Sequence, residues 1–371
     1  MRPLVLLWKD LKEYFSKLRS RAVFERKYGY SEIGNLIHSG NLEINNFDIV
    51  TIGQGSYLGR FCALRDYGTG KHPRSISLGP KCLLGPSVTF AVWDNNHITL
   101  KGDTSVNDGT IVHGTVTIEK YCLLAPNVFI SSGYHHADHI PPLLIKDQDI
   151  LCFNSEPADD HINDVHIEED CWIGKGVYLK QGSYIGRGAI IGTNAVVIKD
   201  VPPYSIQAGS PNRELKTRLI FQPPDLLCAD DVDLRPYFYR GFRHRLDEIT
   251  ESLKRGLILA ESHAAITMNK RDCTGLRIKG RLSQWVTSIR VRVRLNGKTV
   301  GEAQIANEEF DQELNIPPDD HITDRESITT PSVLQPFNFY VLDCVEIRHK
   351  DMQKRNPDTP YGLTSVEQLP R

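Results

Sequence analysis

Two adjacent histidines, His135 and His136, are the residues best placed to do chemistry in this 371-residue chain. They stand in the run ISSGYHHAD, five and six residues after Ile130. An unperturbed imidazole titrates near 6.5, so it can take a proton from a hydroxyl at neutral pH. The chain holds 13 histidines, and position rather than residue type raises His135 above the rest. It stands where a regular pattern stops and a long acidic insertion begins, running from His136 to Val165. That insertion carries Asp138, Asp147, Asp149, Glu156, Asp159 and Asp160. It reads as a substrate lid or as an arm reaching a neighbouring subunit.

The pattern that must position these residues is a six-residue rhythm. Aliphatic side chains fall at Ile167, Ile173, Leu179, Ile185, Ile191 and Val197. Glycine often follows (Gly174, Gly186, Gly192), and a compact residue sits four places on: Cys171, Val177, Ser183, Ala189, Ala195, Val201. The same phase occurs at Ile52, Leu58, Leu78, Leu84 and Phe90, and again at Val112, Ile118, Leu124 and Ile130. Breaks are expected over 65–77, 91–110 and 131–165. A short fixed period marks a solenoid. Six residues suit a triangular prism with one short strand per face and the aliphatic residue pointing inward. Each coil then buries its interior against the next. Glycine suits the tight corners. The period alone does not give handedness.

With 44 basic and 46 acidic residues the chain has no cationic excess, which argues against nucleic acid as a partner. No apolar run is long enough to span a bilayer. The N-terminus lacks the features of a signal peptide, so a cytoplasmic setting with reduced thiols is expected. Of the eight cysteines, Cys62, Cys82, Cys122 and Cys171 occupy the compact position of a hexad and read as interior packing.

Residues 1–35 read as a basic amphipathic helix. Leu4, Leu7, Trp8, Leu11, Tyr14, Phe15 and Leu18 share a face. Such a helix caps the open end of a solenoid or lies on a membrane surface. The solenoid is expected over 36–222, with Arg213–Leu219 as a short terminal helix. A helical linker is expected over 223–265, with Gly241–Glu261 helical. A small β-sandwich-like domain is expected over 266–371. There Ile289, Val291, Val293 and Leu295 alternate with Arg290, Arg292 and Arg294, and Asn296-Gly297 marks a hairpin. The arginine row reads as a solvated sheet face or a surface for an anionic glycan.

Together the period, the run Asn127–His135 (NVFISSGYH) and the run Asp170–Pro211, ending VIKDVPPYSIQAGSP, resemble the hexapeptide-repeat acyltransferases. The likeness is strongest to the galactoside, maltose and capsular-sugar O-acetyltransferases, and it covers about residues 44–216. It implies a mainly β fold, a left-handed parallel β-helix, with the N-terminal helix and the C-terminal antiparallel β domain appended. It further implies a homotrimer and transfer of an acetyl group from acetyl-coenzyme A to a hydroxyl of a sugar or glycan, such as a polysaccharide, lipopolysaccharide or capsule precursor. By position, the family's base falls on His135, with His136 orienting it or touching substrate. The family's coenzyme contacts fall on Lys175, Thr193, Ile198 and Lys199, and its phosphate contacts on Arg213 and Lys216. Trp172 is expected to shape the acetyl pocket. Asn95, Asn96 and Asp138 are acceptor candidates, and no metal is expected.

Two other readings are open. A γ-class carbonic anhydrase shares the solenoid and would need His113, His135 and His139 to converge on zinc. A scaffold could keep the coils and lack catalysis.

Overall fold

The computed structural model describes residues 42–133, 135–155, 164–316, 332–350 and 359–370. The helix expected over 1–35 lies outside them. The chain forms two compact units, Met1–Ile220 and Phe221–Arg371.

The first unit is a parallel solenoid with three faces. Seven strands form the first face, from Glu43–Ile44 to Val196–Val197. Six form the second, from Val50–Ile52 to Tyr184–Ile185. Eight form the third, from Tyr57–Leu58 to Arg213–Thr217. Successive coils stack in register: Ile130 lies on Leu179 and Leu179 on Val197, while Ile167 lies on Ile185 and Ile173 on Ile191.

The six-residue rhythm is the interior. Ile167, Ile173, Leu179, Ile185, Ile191 and Val197 are each at most 1% exposed, as are Cys171, Val177, Ala189, Ala195 and Val201. Burying each aliphatic side chain stabilises by about 1.5–3 kcal/mol. Cys62, Cys82, Cys122 and Cys171 face the same interior and direct their thiols at carbonyl oxygens, as in Cys62 to Gly85 O at 3.2 Å. The corner glycines are needed for close approach. A Cβ on Gly53 would stand 2.3 Å from the carbonyl carbon of Gly79 in the next coil.

The expected break over 91–110 is in fact a coil. Strands His97–Leu100 and Ser105–Val106 complete the second and third faces, with Ile98, Leu100 and Val106 buried. Only the turn Trp93–Asn96 is lengthened, which shifts the phase once before Leu100 restores it. Arg213–Thr217 is a strand, not a helix. The chain doubles back after Gly209 and pairs antiparallel with Ser205–Ala208, which satisfies the backbone of the last coil.

The second unit is one antiparallel sheet of nine strands rather than two facing sheets. Its edge strands Lys298–Ile305 and Glu309–Asn315 are joined by three residues. The sheet must therefore curl, and Ile278, Val291, Ile305, Phe310, Leu342 and Tyr361 meet in its core. All of 223–265 also belongs to this unit. The helix is only Leu246–Arg255, and Ile258–Met268 is a strand buried against Asn338–His349. Leu257 and Gly256 end the helix, and the buried alternation from Ile258 makes it a strand. The Asn296-Gly297 hairpin is present, with both residues at positive φ (49° and 88°). The arginine row is matched by carboxylates: Arg290 with Glu346 at 2.9 Å, Arg292 with Glu302 at 2.8 Å, and Arg294 with Asp343. That pairing removes the free cationic surface an anionic glycan would need.

Candidate active site

The chain runs from first face to second to third in every coil, so each corner is a column of equivalent positions. His135 lies at the corner between the first and second faces. Strand Phe129–Ser131 ends there, and the chain rejoins the second face only at Val165. The acidic insertion is thus an excursion from one corner. It contains the helix Ile145–Ser155. Gln148, 1% exposed, ties the excursion to itself: its amide nitrogen donates to the carbonyls of Ala137 and Leu143, and its oxygen accepts from Ile140 N–H.

That helix brings Asp149 to the histidines. Asp149 Oδ2 accepts from His135 Nδ1 at 2.7 Å, and Oδ1 accepts from the backbone N–H of His136 at 2.7 Å. Burial raises the Asp149 pKa, but the hydrogen bonds from His136 N–H and from His135 outweigh it and hold the carboxyl below its ordinary range. An ionised carboxylate only accepts, so Nδ1 of His135 carries a proton, and in the neutral ring the lone pair is then on Nε2. The His135 side chain is 82% exposed. His136 is buried, with its ring edge-on to His139 at 5.1 Å. Sequence reasoning grouped Asp149 with the other acids of the insertion; nothing in its spacing marks it as the partner of His135.

The residues implied for the coenzyme fall into three places. Ile198 and Lys199 share the corner of His135, two coils on. Ile130, Leu179 and Val197 are stacked, so the residues after them, Ser131, Lys180 and Ile198, form one column. Lys180, which no motif singled out, is exposed between them. Lys175 and Thr193, both exposed, stack on each other at the corner between third and first faces. Trp172, 53% exposed, lies on the third face in a row with Ile190, Ile206 and Lys216. Arg213 is exposed on the same last strand. One chain therefore brings His135, Ile198 and Lys199 to a common corner, and holds Lys175, Thr193, Trp172, Arg213 and Lys216 elsewhere.

The acceptor candidates also separate. Asn96 is 6% exposed, and its side chain closes the Trp93–Asn96 turn: Oδ1 accepts from Trp93 N–H at 3.1 Å and Nδ2 reaches Thr115 Oγ1 at 3.4 Å. Asn95 is half-buried at φ 62° in the same turn. Asp138 is exposed, beside His139 at 3.6 Å.

The three histidines of the zinc reading have different neighbours. His113 lies between Trp93 and Phe129, His135 is on Asp149, and His139 is against Asp138 and His136. Among the described residues no group of three His, Cys, Asp or Glu side chains is arranged to hold a metal ion.

Comparison with known proteins follows the coils. Residues 164–199 match the model of the bacterial transferase hexapeptide (six repeats). Over 140 residues the chain is 30% identical to the galactoside O-acetyltransferase of Escherichia coli (strain K12), a match covering 38% of this chain and 63% of that protein. The chain thus spans under two thirds of the curated relative it matches. Among solved structures, a maltose O-acetyltransferase from Clostridium difficile 630 is 21% identical, covering 47% of this chain and 72% of its own, with a TM-score of 0.27. A hexapeptide-repeat acetyltransferase from Vibrio cholerae O1 biovar eltor, complexed with acetyl-coenzyme A, is 20% identical, covering 46% and 72%, with a TM-score of 0.27. The N-terminal unit is a hexapeptide-repeat solenoid whose sequence is similar to that of a sugar O-acetyltransferase.

Proposed function

We propose that this protein transfers an acetyl group from acetyl-coenzyme A to a hydroxyl of a sugar or glycan. The observation that carries the reading is His135 held by Asp149 with its Nε2 lone pair free, at the corner shared with Lys180, Ile198 and Lys199.

The acceptor hydroxyl gives its proton to His135 Nε2 while its oxygen attacks the thioester carbonyl carbon. Asp149 steadies the imidazolium that forms and keeps its proton on Nδ1. The tetrahedral intermediate expels the coenzyme thiolate, which takes the proton back from His135. The products are the acetyl ester and free coenzyme A, with no covalent enzyme intermediate. Ile198 and Lys199 line the donor approach on this corner, and His136 packs beneath as support.

Lys175, Thr193, Trp172, Arg213 and Lys216 occupy another corner and another face than His135 within one chain. A donor groove shared with a neighbouring copy, as in a homotrimer, would bring the two sets together. The outward row Tyr57, Leu83, Ser105, Leu123 and Trp172, in which the four large side chains are each 39–54% exposed, gives the third face a mainly apolar surface for such a contact. No helix among the described residues is long and apolar enough to cross a membrane. Contact through 1–35 stays a proposal, tested by vesicle flotation.

Thioester cleavage by the purified full chain, with acetyl-coenzyme A and a panel of sugars, tests the reading. Acceptor-dependent thiol release that falls at least a hundredfold in His135→Ala is the expected result. Equal turnover in the variant overturns His135 as base, and no release with any acceptor favours the silent scaffold.

A further inference from the structure

Three rings stand in a line on the N-terminal side of His135. Tyr67 and Trp93 follow the first-face strands Ala63–Asp66 and Thr89–Val92, and His113 ends the strand of the next coil, Ile111–His113. Asp66 pairs with Val92, Ala91 with His113, and His113 with Ser131. Their rings are in contact, Tyr67 to Trp93 at 5.3 Å with 33° between planes and Trp93 to His113 at 5.7 Å edge-on. Tyr67 is 51% exposed and Trp93 42%.

We propose that Tyr67, Trp93 and His113 form a track for an oligosaccharide acceptor, leading along this corner to His135. The inference rests on the transferase reading above and names its acceptor class as a glycan chain rather than a single sugar.

Four observations support it. First, the rings lie on the coils directly before the candidate base: His113 pairs with Ser131, four residues before His135. Donor-side residues Lys180, Ile198 and Lys199 lie on the C-terminal side of His135, so the N-terminal side of the same corner is the side open to acceptor. Second, Tyr67 and Trp93 are exposed neighbours with 33° between their planes and present ring faces of partial negative charge, which suit the C–H faces of pyranose rings, while His113 braces Trp93 edge-on. Third, the rim is polar, as a sugar requires. Asn95 stands in the Trp93 turn, and the neighbouring loop is fixed by Asp94, which accepts from Thr69 N–H and Thr69 Oγ1, and by Arg74 bridging Asp66 and Asp94. The platform is therefore rigid, which lowers the ordering cost of binding. Burial, with the nearby Arg65 cation adding to it, lowers the His113 pKa and keeps that ring neutral. Fourth, the length is that of a chain. Coils stack about 4.8 Å apart, so the track spans about 14 Å from the coil of His135 to that of Tyr67, well beyond one sugar ring.

The test compares acceptors of one chemistry and different length: glucose, maltose, maltotetraose and maltohexaose, and the matching β-galactoside series. The expected result is a kcat/KM that rises with length through KM. Trp93→Ala and Tyr67→Ala should each lower kcat/KM for the longest acceptor about tenfold more than for the monosaccharide, while Tyr67→Phe keeps the gain. Comparing long with short acceptors on the same variant guards against general misfolding. A length-independent kcat/KM, or an unaltered long-to-short ratio in both alanine variants, overturns the track and leaves the transferase reading standing. So does a change of oligomeric mass in Trp93→Ala, which would place the rings between copies. Absence of transfer to every member of both series, with His135→Ala no different from the parent, counts against the transferase reading itself.

Discussion

Asp149 Oδ2 lies 2.7 Å from His135 Nδ1, although one residue belongs to the helix Ile145–Ser155 and the other to the segment that leaves the coil after Ser131. The same carboxylate holds the His136 N–H at 2.7 Å. One side chain thus both orients the imidazole and ties the helix to the segment that carries it.

Asp149→Asn should therefore lower kcat roughly a hundredfold, with KM for acetyl-coenzyme A little changed. An amide can donate to Nδ1 and so favours the tautomer whose Nε2 lone pair is lost. Steady-state thiol release checks this, and melting within a few degrees of the parent separates it from unfolding.

The tether has a pH window. The Asp149 carboxyl is held below its ordinary range in the folded chain, so its contribution is fully present above the unfolded value near ~3.9. It is lost as pH falls through the lowered folded value. Peptic cleavage within 137–155 should accelerate as pH drops below ~4, and Asp149→Asn should show a high rate that varies little with pH over that range.

Buried thiols in the coils should be inert. Burial pushes Cys62 and Cys82 up to about 11, leaving almost no thiolate at pH 8. Iodoacetamide followed by mass spectrometry should leave both unmodified in the folded protein and label both in denaturant.

Two ion pairs should differ sharply. Arg187 and Glu169 are 5% and 1% exposed with Nη1 to Oε2 at 2.5 Å, whereas Arg292 and Glu302 are 42% and 36% exposed. Arg187→Ala strands a buried carboxylate and should cost about 3–5 kcal/mol. Arg292→Ala should cost about 1 kcal/mol or less. Urea unfolding of each variant gives the two values.

Corner crowding should be visible in Gly53→Ala. The added methyl would meet backbone 2.3 Å away in the next coil, and a loss of about 1–3 kcal/mol is expected. Thermal melting checks it; an unchanged midpoint would show that the coils can move apart.

The solenoid was legible because its period is a packing rule. Every hexad aliphatic from Ile167 to Val197 points inward, and no other arrangement buries all six. The coil over 91–110 was missed because the four-residue turn Trp93–Asn96 shifts the phase, although Leu100, Val106 and Val112 already restore it. Arg213–Thr217 looked helical since an exposed strand has no apolar alternation to read. His135 stands out in the sequence by its place at the break. Asp149 does not, because a contact made by an excursion folding back depends on tertiary structure that spacing does not encode.

The excursion begins and ends on fixed neighbours. Ser131 pairs with His113 and Val165 with Val116 in the coil below, so residues 132–164 occupy the place that Gly114 and Thr115 fill one storey down. Changing the length of a loop with anchored ends costs little. The spool can therefore accept a flap of another length beyond His136 without relearning how to fold, which makes the segment between His136 and Val165 a natural grafting point for redirecting what is presented to His135.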